Sequence, residues 1–222
     1  MPSSRRPAAA DGPSWSVVVP VKRLTAAKSR LLPQAGRVRS RLALAFACDT
    51  IEAALACPLV GTVVAVTSDP LAAIQLQQIG AQVVADGPEA GLNPALNHGV
   101  RAARQHASGD AVAALSADLP ALRPDQLGLA LSIAAAHRRA FVADAAGSGT
   151  TLLTSARGAE LRPRFGPASA QRHLRGGAYP IEDDGLESLR RDVDTAADLR
   201  AARLLGLGRR TSALIEDLRT AS

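Results

Sequence analysis

The stretch Trp15-Ser-Val-Val-Val-Pro-Val21, which runs directly into Lys22-Arg-Leu-Thr-Ala-Ala-Lys28, decides the fold. Its first seven residues form a largely apolar run, which is typical of a strand buried on both faces of a parallel sheet. Similar runs follow at Thr62–Thr67, Gln82–Ala85 and Ala111–Ser116. Helical patterns near residues 38–56, 70–79, 94–107 and 124–138 separate these runs. The alternation predicts an α/β protein with a mostly parallel, mixed sheet and helices on both faces.

The second half of the chain carries shorter elements. The pattern predicts strands at Ala140–Ala143, Thr150–Thr154 and Arg191–Val193, a loop at Arg162–Ser169, and a closing helix at 195–205. Two dipeptides predict helix starts, because Asp69-Pro70 and Asn93-Pro94 each pair a capping residue with a proline at the first helical position.

Length and composition indicate one domain. A chain of 222 residues, 47% of them hydrophobic, can bury one sizeable core but not two comfortable ones. Residues 1–14 are polar and rich in Pro, Ala and Gly, so we expect a disordered leader before one folded domain at 15–222. No apolar run approaches the roughly 18 residues of a membrane span. Cys48 and Cys57 fall in or after a helical pattern, so we expect buried thiols in a cytoplasmic protein with no membrane partner.

The net charge of +6 raises the question of nucleic acid. Basic residues concentrate in a stretch without acids between Asp11 and Asp49: Lys22, Arg23, Lys28, Arg30, Arg37, Arg39 and Arg41. Aromatic residues make up only 2% of the chain, so platforms for stacking bases are scarce, and no nucleic-acid-binding motif is present. A basic cluster in one segment suits a compact polyanion such as a triphosphate, and we expect no nucleic-acid partner.

Lysine is rare in this chain. There are 24 arginines and two lysines, and both lysines, Lys22 and Lys28, lie just after the first strand. Lysine is a compact point charge that can follow a migrating phosphoryl group, whereas arginine offers a rigid planar fork. Open α/β sheets bind ligands at the carboxyl edge, where this segment lies. We therefore assign nucleotide binding to Pro20, Lys22, Arg23 and Lys28, with solvated surface lysines as the alternative.

Three carboxylates are candidate metal ligands. Asp118, in the sequence SADLP, follows the fourth strand and would offer the hard oxygen that Mg²⁺ requires, although an ordinary turn residue is the alternative. Asp192 and Asp194 would point to one face if their stretch is extended, and such a pair repels unless a cation lies between them. Alternatively Asp194 or Thr195 caps the next helix, since Thr195 and Asp198 have the spacing of a capping box.

Amides and small-residue loops supply further candidates. Asn93 and Asn97 lie one helical turn apart, and their amides could read the edge of a base, with a plain cap at Asn93 as the alternative. The loops GSGTT (147–151) and RFGPAS (164–169) could hold a carboxylate or phosphate through their backbone N–H groups, or be ordinary turns.

The histidines give no sign of catalysis. His98, His106, His137 and His173 show neither metal-ligand spacing nor a partner for a nucleophile. A phosphate monoester has a second pKa near about 6 and is already nucleophilic at neutral pH. A phosphoryl-type transfer would need a metal ion and positioning rather than a general base.

Taken in order, six motifs resemble the guanylyltransferases of coenzyme F-420 biosynthesis: VPVKRLTAAKSRL, GLNPALN, ADLPAL, FVAD…GSGTTLL, RPRFGPAS and DVDTAADL. The resemblance extends from about Trp15 to Leu207. That family includes 2-phospho-L-lactate guanylyltransferase and its phosphoenolpyruvate-using actinobacterial relatives. The resemblance implies a nucleotide-diphospho-sugar transferase-like, Rossmann-like fold. It also implies transfer of GMP from GTP to the phosphate of a small carboxylic acid, with pyrophosphate leaving.

The resemblance also implies a role for each site residue. Lys22 and Lys28 would meet the triphosphate and act in catalysis with Asp118. A magnesium ion would be held by Asp118, Asp192 and Asp194. The positions that bind the acid substrate would be Thr150, Gly166 and Ser169.

The motif set is closest to the actinobacterial branch, which favours phosphoenolpyruvate over 2-phospho-L-lactate or 3-phosphoglycerate. A molybdopterin guanylyltransferase, a glycosyltransferase and a non-catalytic GTP-binding protein stay open as alternatives. A glycosyltransferase is disfavoured because its metal motif normally follows the central strand, where this chain has Ala-Asp-Leu. The sequence does not fix the oligomeric state, and a homodimer is among the states it allows.

Overall fold

The computed structural model describes residues 14–24, 36–87, 90–106 and 111–220. Lys28 and all of the leader except Ser14 lie outside these ranges. Within them the strands are β1 (Trp15–Pro20), β2 (Val60–Val66), β3 (Gln82–Val84), β4 (Ala111–Leu115), β5 (Arg139–Ala143), β6 (Thr150–Ser155) and β7 (Tyr179–Pro180). The α-helices are α1 (Gly36–Ala56), α2 (Pro70–Gln78), α3 (Leu92–His106), α4 (Pro124–Ala134), α5 (Ser169–Arg175), α6 (Glu187–Arg190), α7 (Ala196–Leu205) and α8 (Arg209–Thr220). A short 3₁₀ helix, Asp184–Leu186, precedes α6.

All seven strands belong to one sheet, in the order β3-β2-β1-β4-β6-β5-β7. β6 is antiparallel to both β4 and β5, whereas the other neighbouring pairs are parallel. The predicted mixed, mostly parallel sheet is therefore confirmed. The strand order reverses at β1, because the chain continues to β2 on one side and returns to β4 on the other. Connections that diverge in this way leave a crevice at the carboxyl ends of the two strands.

Successive side chains of β1 enter two different cores. Val17 and Val19 pack with residues of α1, α2 and α4, whereas Val18 packs with Val64, Val66 and residues of α3. All three valines of β1 are 0% exposed. Helices therefore cover both faces of the sheet, as the continuous apolar runs predicted.

Two features of composition also have a structural counterpart. Cys48 and Cys57 are buried free thiols, as predicted, and burial raises the pKa of Cys48 to about 11. Among the described residues, no helix is long and apolar enough to cross a membrane.

Two predicted helix starts are confirmed in detail. The carboxylate of Asp69 accepts hydrogen bonds from the backbone N–H groups of Leu71 and Ala72 at the start of α2. Helix α7 begins with a reciprocal capping box. The Thr195 hydroxyl accepts from the N–H of Asp198, and the Asp198 carboxylate accepts from the N–H of Thr195. These contacts satisfy donors that have no partner inside a helix.

Two local predictions are wrong. Helix α3 begins at Leu92, so Asn93 lies inside its first turn, where the Asn93 side chain bonds to Phe165 and does not cap. The segment Arg191–Val193 is not a strand. Its Val193 N–H bonds to the carbonyl of Asp118, and its side chain is buried in a core, without a ladder of backbone bonds to the sheet.

The last helix, α8, was not predicted, because the residues that stabilise it come from a distant part of the chain. Asp49 of α1, only 5% exposed, accepts hydrogen bonds from the backbone N–H groups of Arg210 (3.0 Å) and Thr211 (2.8 Å). A carboxylate at the N-terminus of a helix also interacts favourably with the positive end of the helix dipole. Phe46, Val193 and Leu214 belong to the apolar cluster that joins α1, α7 and α8.

We expect Gly99→Ala to destabilise the fold. A Cβ at Gly99 of α3 would lie 2.5 Å from methyl groups of Val18 and Val66, and overpacking of this kind costs about 1–3 kcal/mol. Gly128 of α4 is the matched control, because a Cβ there would lie 3.6 Å from the Cys57 sulfur. Gly128→Ala should leave stability equal or raise it by about 0.5–1 kcal/mol, through helix propensity. Urea unfolding measures both changes, and an equally stable Gly99→Ala protein would contradict the packing described.

Candidate functional site

A cavity of about 200 Å³ opens at the carboxyl edge of the sheet, where β1 and β4 end. Lys22 follows β1, Asp118 follows β4, and Asp194 lies just before α7; all three line the cavity. Leu92, Leu96 and Phe165 supply part of its apolar wall. A second depression of about 270 Å³ shares Lys22 and adds Arg23, Ser68 and Asp86. One cation and two carboxylates therefore meet at the edge where ligands bind in this type of sheet.

The backbone directly after β1 is held by a hydrogen bond on each side of Lys22. The N–H of Val21 bonds to the carbonyl of Val66 at 2.8 Å, and the N–H of Leu24 bonds to the carboxylate of Asp69 at 2.9 Å. Asp69 therefore serves two elements, because its other oxygen caps α2. Lys22 lies between the two attachment points, with an exposed side chain. The backbone is fixed while the ammonium group stays available to a ligand.

The backbone around Asp118 is also clamped. The carbonyl of Asp118 accepts from the N–H of Val193 at 3.0 Å, and the next residue, Leu119, donates its N–H to the hydroxyl of Thr50 at 3.1 Å. The bond to Val193 brings the Asp192–Asp194 stretch to the carboxyl end of β4. Local sequence could not show this contact.

Two carboxylates at this edge could hold a magnesium ion that also binds substrate phosphates, and this stays a prediction. In the described ranges, no group of three or more His, Cys, Asp and Glu side chains is placed to hold a metal. Asp118 and Asp194 line the same cavity, whereas Asp192 is half-buried and does not line it. Magnesium commonly binds through one or two carboxylates together with substrate phosphates and water, so two carboxylates suffice.

A side-chain amide holds the segment that borders the cavity. Asn93 of α3 donates from Nδ2 to the carbonyl of Phe165 at 3.1 Å and accepts at Oδ1 from the Phe165 N–H at 2.8 Å. The amide thus pairs with the main chain as a neighbouring strand would. Each of the two amide atoms keeps one further hydrogen-bonding position, so the predicted contact of Asn93 with a base stays a prediction.

Beside the cavity, three polar side chains form a buried chain of hydrogen bonds, which we call the hydroxyl cluster: Thr150, Ser169 and His173. Ser169 Oγ donates to Thr150 Oγ1 at 3.1 Å, and Thr150 Oγ1 lies 2.9 Å from His173 Nδ1. The exposed fractions are 7% for Thr150, 1% for Ser169 and 3% for His173. Thr150 opens β6, and its neighbour Thr151 accepts the N–H of Ser116 at the end of β4. The cluster therefore lies at the same sheet edge as Asp118.

The His173 ring is held neutral by its surroundings. Burial lowers its pKa to about 4, and the nearby guanidinium groups of Arg172 and Arg164 act in the same direction. Its Nε2 atom accepts the N–H of Arg164 at 3.0 Å. The ring of Phe165, which lines the cavity, meets the His173 ring edge-on with centroids 5.3 Å apart. Phe165 thus connects the hydroxyl cluster to the cavity.

Comparison with known proteins identifies the family of this chain. Residues 15–221 match the model of a family described as "Guanylyl transferase CofC like". The chain belongs to this family. A curated relative from Streptosporangium roseum is named phosphoenolpyruvate guanylyltransferase. It is 55% identical over 211 residues, and the match covers 95% of each chain. A protein of the same name from Thermomonospora curvata is 54% identical over 201 residues, covering 90% of this chain and 88% of that one.

Solved structures share the fold of this CofC-like protein at low sequence identity. A nucleotidyl transferase from Methanothermobacter thermautotroptrophicus is 21% identical, with a TM-score of 0.62 over 87% of this chain and 98% of that one. A candidate nucleotide-diphospho-sugar transferase from Desulfovibrio desulfuricans is 16% identical, with a TM-score of 0.59 over 86% and 96%. The predicted nucleotide-diphospho-sugar transferase-like fold is therefore confirmed.

The CofC-like fold brings together some of the predicted residues and separates others. Pro20, Lys22, Asp118 and Asp194 line the cavity where β1 and β4 end. Asn97 is exposed and lines a different depression, beside Arg101, Arg104 and Arg164. Thr150, Gly166 and Ser169 are not among the described residues that line the cavity where β1 and β4 end, although Ser169 bonds to both of the others. The roles of these residues in binding stay predictions.

One residue without a sequence signal for catalysis lies within a hydrogen-bond network of the structure. His173 has no metal-ligand spacing, and like the other histidines it is not predicted to act in the site. A usable signal was present, since Ser169 and His173 are four residues apart and therefore share one face of a helix. The pattern could not show that Thr150 would meet that face, because the contact spans 23 residues of sequence.

We expect Asn93→Ala to loosen the segment around Phe165 while the sheet stays intact. The substitution removes both hydrogen bonds to the Phe165 backbone, so the Phe165 amide should exchange with solvent faster, by about tenfold. Hydrogen exchange read by mass spectrometry measures this. Asn97→Ala is the control, since Asn97 is exposed on the same helix. Unchanged exchange of the Phe165 amide in Asn93→Ala would contradict the clamp.

Proposed function

We propose that this protein transfers GMP from GTP to the phosphate of phosphoenolpyruvate and releases pyrophosphate, as a step in coenzyme F-420 biosynthesis. The observation that carries the proposal is the meeting of Lys22, Asp118 and Asp194 in one cavity at the carboxyl edge of the sheet. Family membership over residues 15–221 supports it, as do relatives above 50% identity that carry this activity in their names. We expect the protein to act in the cytoplasm.

The reaction is a displacement at phosphorus. An oxygen of the acid's phosphate forms a bond to the α-phosphorus of GTP. The bond from that phosphorus to the oxygen bridging the α and β positions breaks, and its electron pair leaves with pyrophosphate. The attacking phosphate has a second pKa of about 6, so at neutral pH the reaction needs no base from the protein. The protein contributes positioning and charge.

Lysine and aspartate side chains would have different roles in this transfer. Lys22 lies between the two depressions and can neutralise the phosphates of the nucleotide from a fixed backbone. Asp118 and Asp194 would hold Mg²⁺, which would stabilise negative charge on the phosphate oxygens. Lys28 would add a second cation to the triphosphate, as the family resemblance implies. Arginine at 22 would keep the charge but replace a compact ammonium group with a broad planar fork.

We expect Asp118→Asn to lower turnover about a hundredfold or more, which corresponds to roughly 3 kcal/mol of transition-state stabilisation. The amide keeps the shape of the side chain but loses the charge that binds the metal ion. Asp125→Asn is the matched control, because Asp125 is an exposed aspartate at the start of α4 that pairs with Arg123. Release of pyrophosphate from GTP and phosphoenolpyruvate is the measurement, with and without EDTA. Full activity in EDTA, or an Asp118→Asn enzyme within about twofold of the parent, would refute the metal-binding role.

We expect phosphoenolpyruvate to be preferred over 2-phospho-L-lactate by about tenfold to a few hundredfold. Both acids carry phosphate and carboxylate on one carbon, which is planar in the first and tetrahedral in the second. A shape difference of this size is worth only about 1–3 kcal/mol to a binding pocket. Pyrophosphate release with each acid, followed by mass analysis of the product, measures the ratio. Turnover of phospholactate alone would overturn the choice of acid, and turnover of 3-phosphoglycerate alone would indicate a longer pocket.

A further inference from the structure

His173 is a buried polar side chain that the transfer reaction does not use directly. Both ring nitrogens are engaged: Nε2 with the N–H of Arg164 at 3.0 Å, and Nδ1 with the hydroxyl of Thr150 at 2.9 Å. A backbone N–H can only donate, so Nε2 must be the nitrogen without hydrogen. The single hydrogen of the neutral ring is therefore on Nδ1, and Nδ1 donates to Thr150 Oγ1.

The direction of that bond decides what the two hydroxyl groups can do. A hydroxyl oxygen has one hydrogen to donate and two positions at which it accepts. Thr150 Oγ1 accepts from His173 Nδ1 and from Ser169 Oγ, so both accepting positions are filled. Its own hydrogen then has no acceptor among the described residues. If the two hydroxyl groups rotated so that Thr150 donated to Ser169, the Ser169 hydroxyl hydrogen would instead be the one without an acceptor among the described residues.

The opposite tautomer of His173 would have the reverse effect. With hydrogen on Nε2, the ring would accept a hydrogen bond at Nδ1 from the Thr150 hydroxyl group. The cluster would then offer a ligand one hydrogen fewer. The Arg164 backbone excludes this state, because its N–H would face the N–H of the ring.

We propose that His173 is a positioning residue for the acid substrate: by donating to Thr150, it leaves one hydroxyl hydrogen of the Thr150–Ser169 pair to bind an anionic oxygen of the acid. Binding of the acid at this pair rests on the family resemblance and the identity of the acid on the proposed function, whereas the direction of the hydrogen bonds rests on neither. The charge around the cluster agrees with an anionic acceptor. The guanidinium groups of Arg172 and Arg164 lie close enough to affect the ring, and no carboxylate is bonded to the cluster within the described part of the chain.

The first experiment replaces the ring and separates the two substrates. His173→Leu removes the donor that fixes the orientation of the Thr150 hydroxyl group, so we expect the KM for phosphoenolpyruvate to rise about three- to tenfold, the net value of one ordinary hydrogen bond. The KM for GTP should stay within about twofold. His173→Asn, whose amide can donate in place of Nδ1, should recover most of the loss. His137→Leu is the control, since His137 stacks on Tyr179 and takes no part in the hydrogen bonds described for the cluster, and it should leave both constants unchanged.

A double-mutant cycle tests whether His173 acts through the hydroxyl group. Thr150→Val removes the hydroxyl at nearly constant volume, and in that background His173→Leu should raise the KM for phosphoenolpyruvate by no more than about twofold. Equal losses for GTP and acid, additive effects in the cycle, or no recovery with asparagine would overturn the proposal in favour of a structural role.

Nuclear magnetic resonance reads the tautomer without any turnover. In long-range ¹H–¹⁵N spectra at pH 7, the His173 ring of the unmodified protein should show a protonated Nδ1 and an unprotonated Nε2. A protonated Nε2, or a doubly protonated ring, would overturn the proposal. If the unmodified enzyme forms no product from GTP and phosphoenolpyruvate, the proposed substrate has failed, while the spectrum still decides the state of the cluster.

Discussion

The backbone hydrogen bonds of β1 to two parallel neighbours determine where the site can form. β1 pairs with β2 over Trp15–Pro20 and with β4 over Trp15–Val18, and its side chains fill cores on both faces. Because β1 has a strand on each edge and a core on each face, the chain can reach solvent only at the ends of the strand. Lys22 therefore emerges beside the end of β4, where Asp118 begins the next connection. The charged edge of the cavity is a consequence of strand pairing that is satisfied on both sides.

Much of this could be predicted from sequence, because it depends on local pattern. Continuous apolar runs identified the inner strands, and residues directly after them were assigned to a common edge. Asp69 and Thr195 were recognisable as caps, since capping contacts span only two or three residues. The rarity of lysine directed attention to Lys22, which the structure places in the cavity wall. Lys28, chosen by the same argument, lies outside the described residues.

Contacts between distant parts of the chain could not be predicted, and they complete the site. The carbonyl of Asp118 meets Val193, Asn93 meets Phe165 72 residues further on, and Asp49 supports α8 from 161 residues away. In each case a polar group finds a backbone partner, which leaves no trace in the periodicity of hydrophobic residues. The prediction of a strand at Arg191–Val193 failed for this reason. Its apolar residue is buried by packing against α1, α7 and α8 and not by a neighbouring strand.

The contact between Asn93 and Phe165 has a consequence for how this region can vary. Both hydrogen bonds go to main-chain atoms of residue 165, so the attachment is independent of the side chain at that position. Only proline would be excluded, because it lacks the N–H that Asn93 accepts. Substitutions at 165 can therefore reshape the wall of the cavity without detaching the segment from α3. The anchor of this part of the wall and its lining are carried by different atoms, so a single substitution at 165 can alter the shape of the cavity while the attachment to α3 persists.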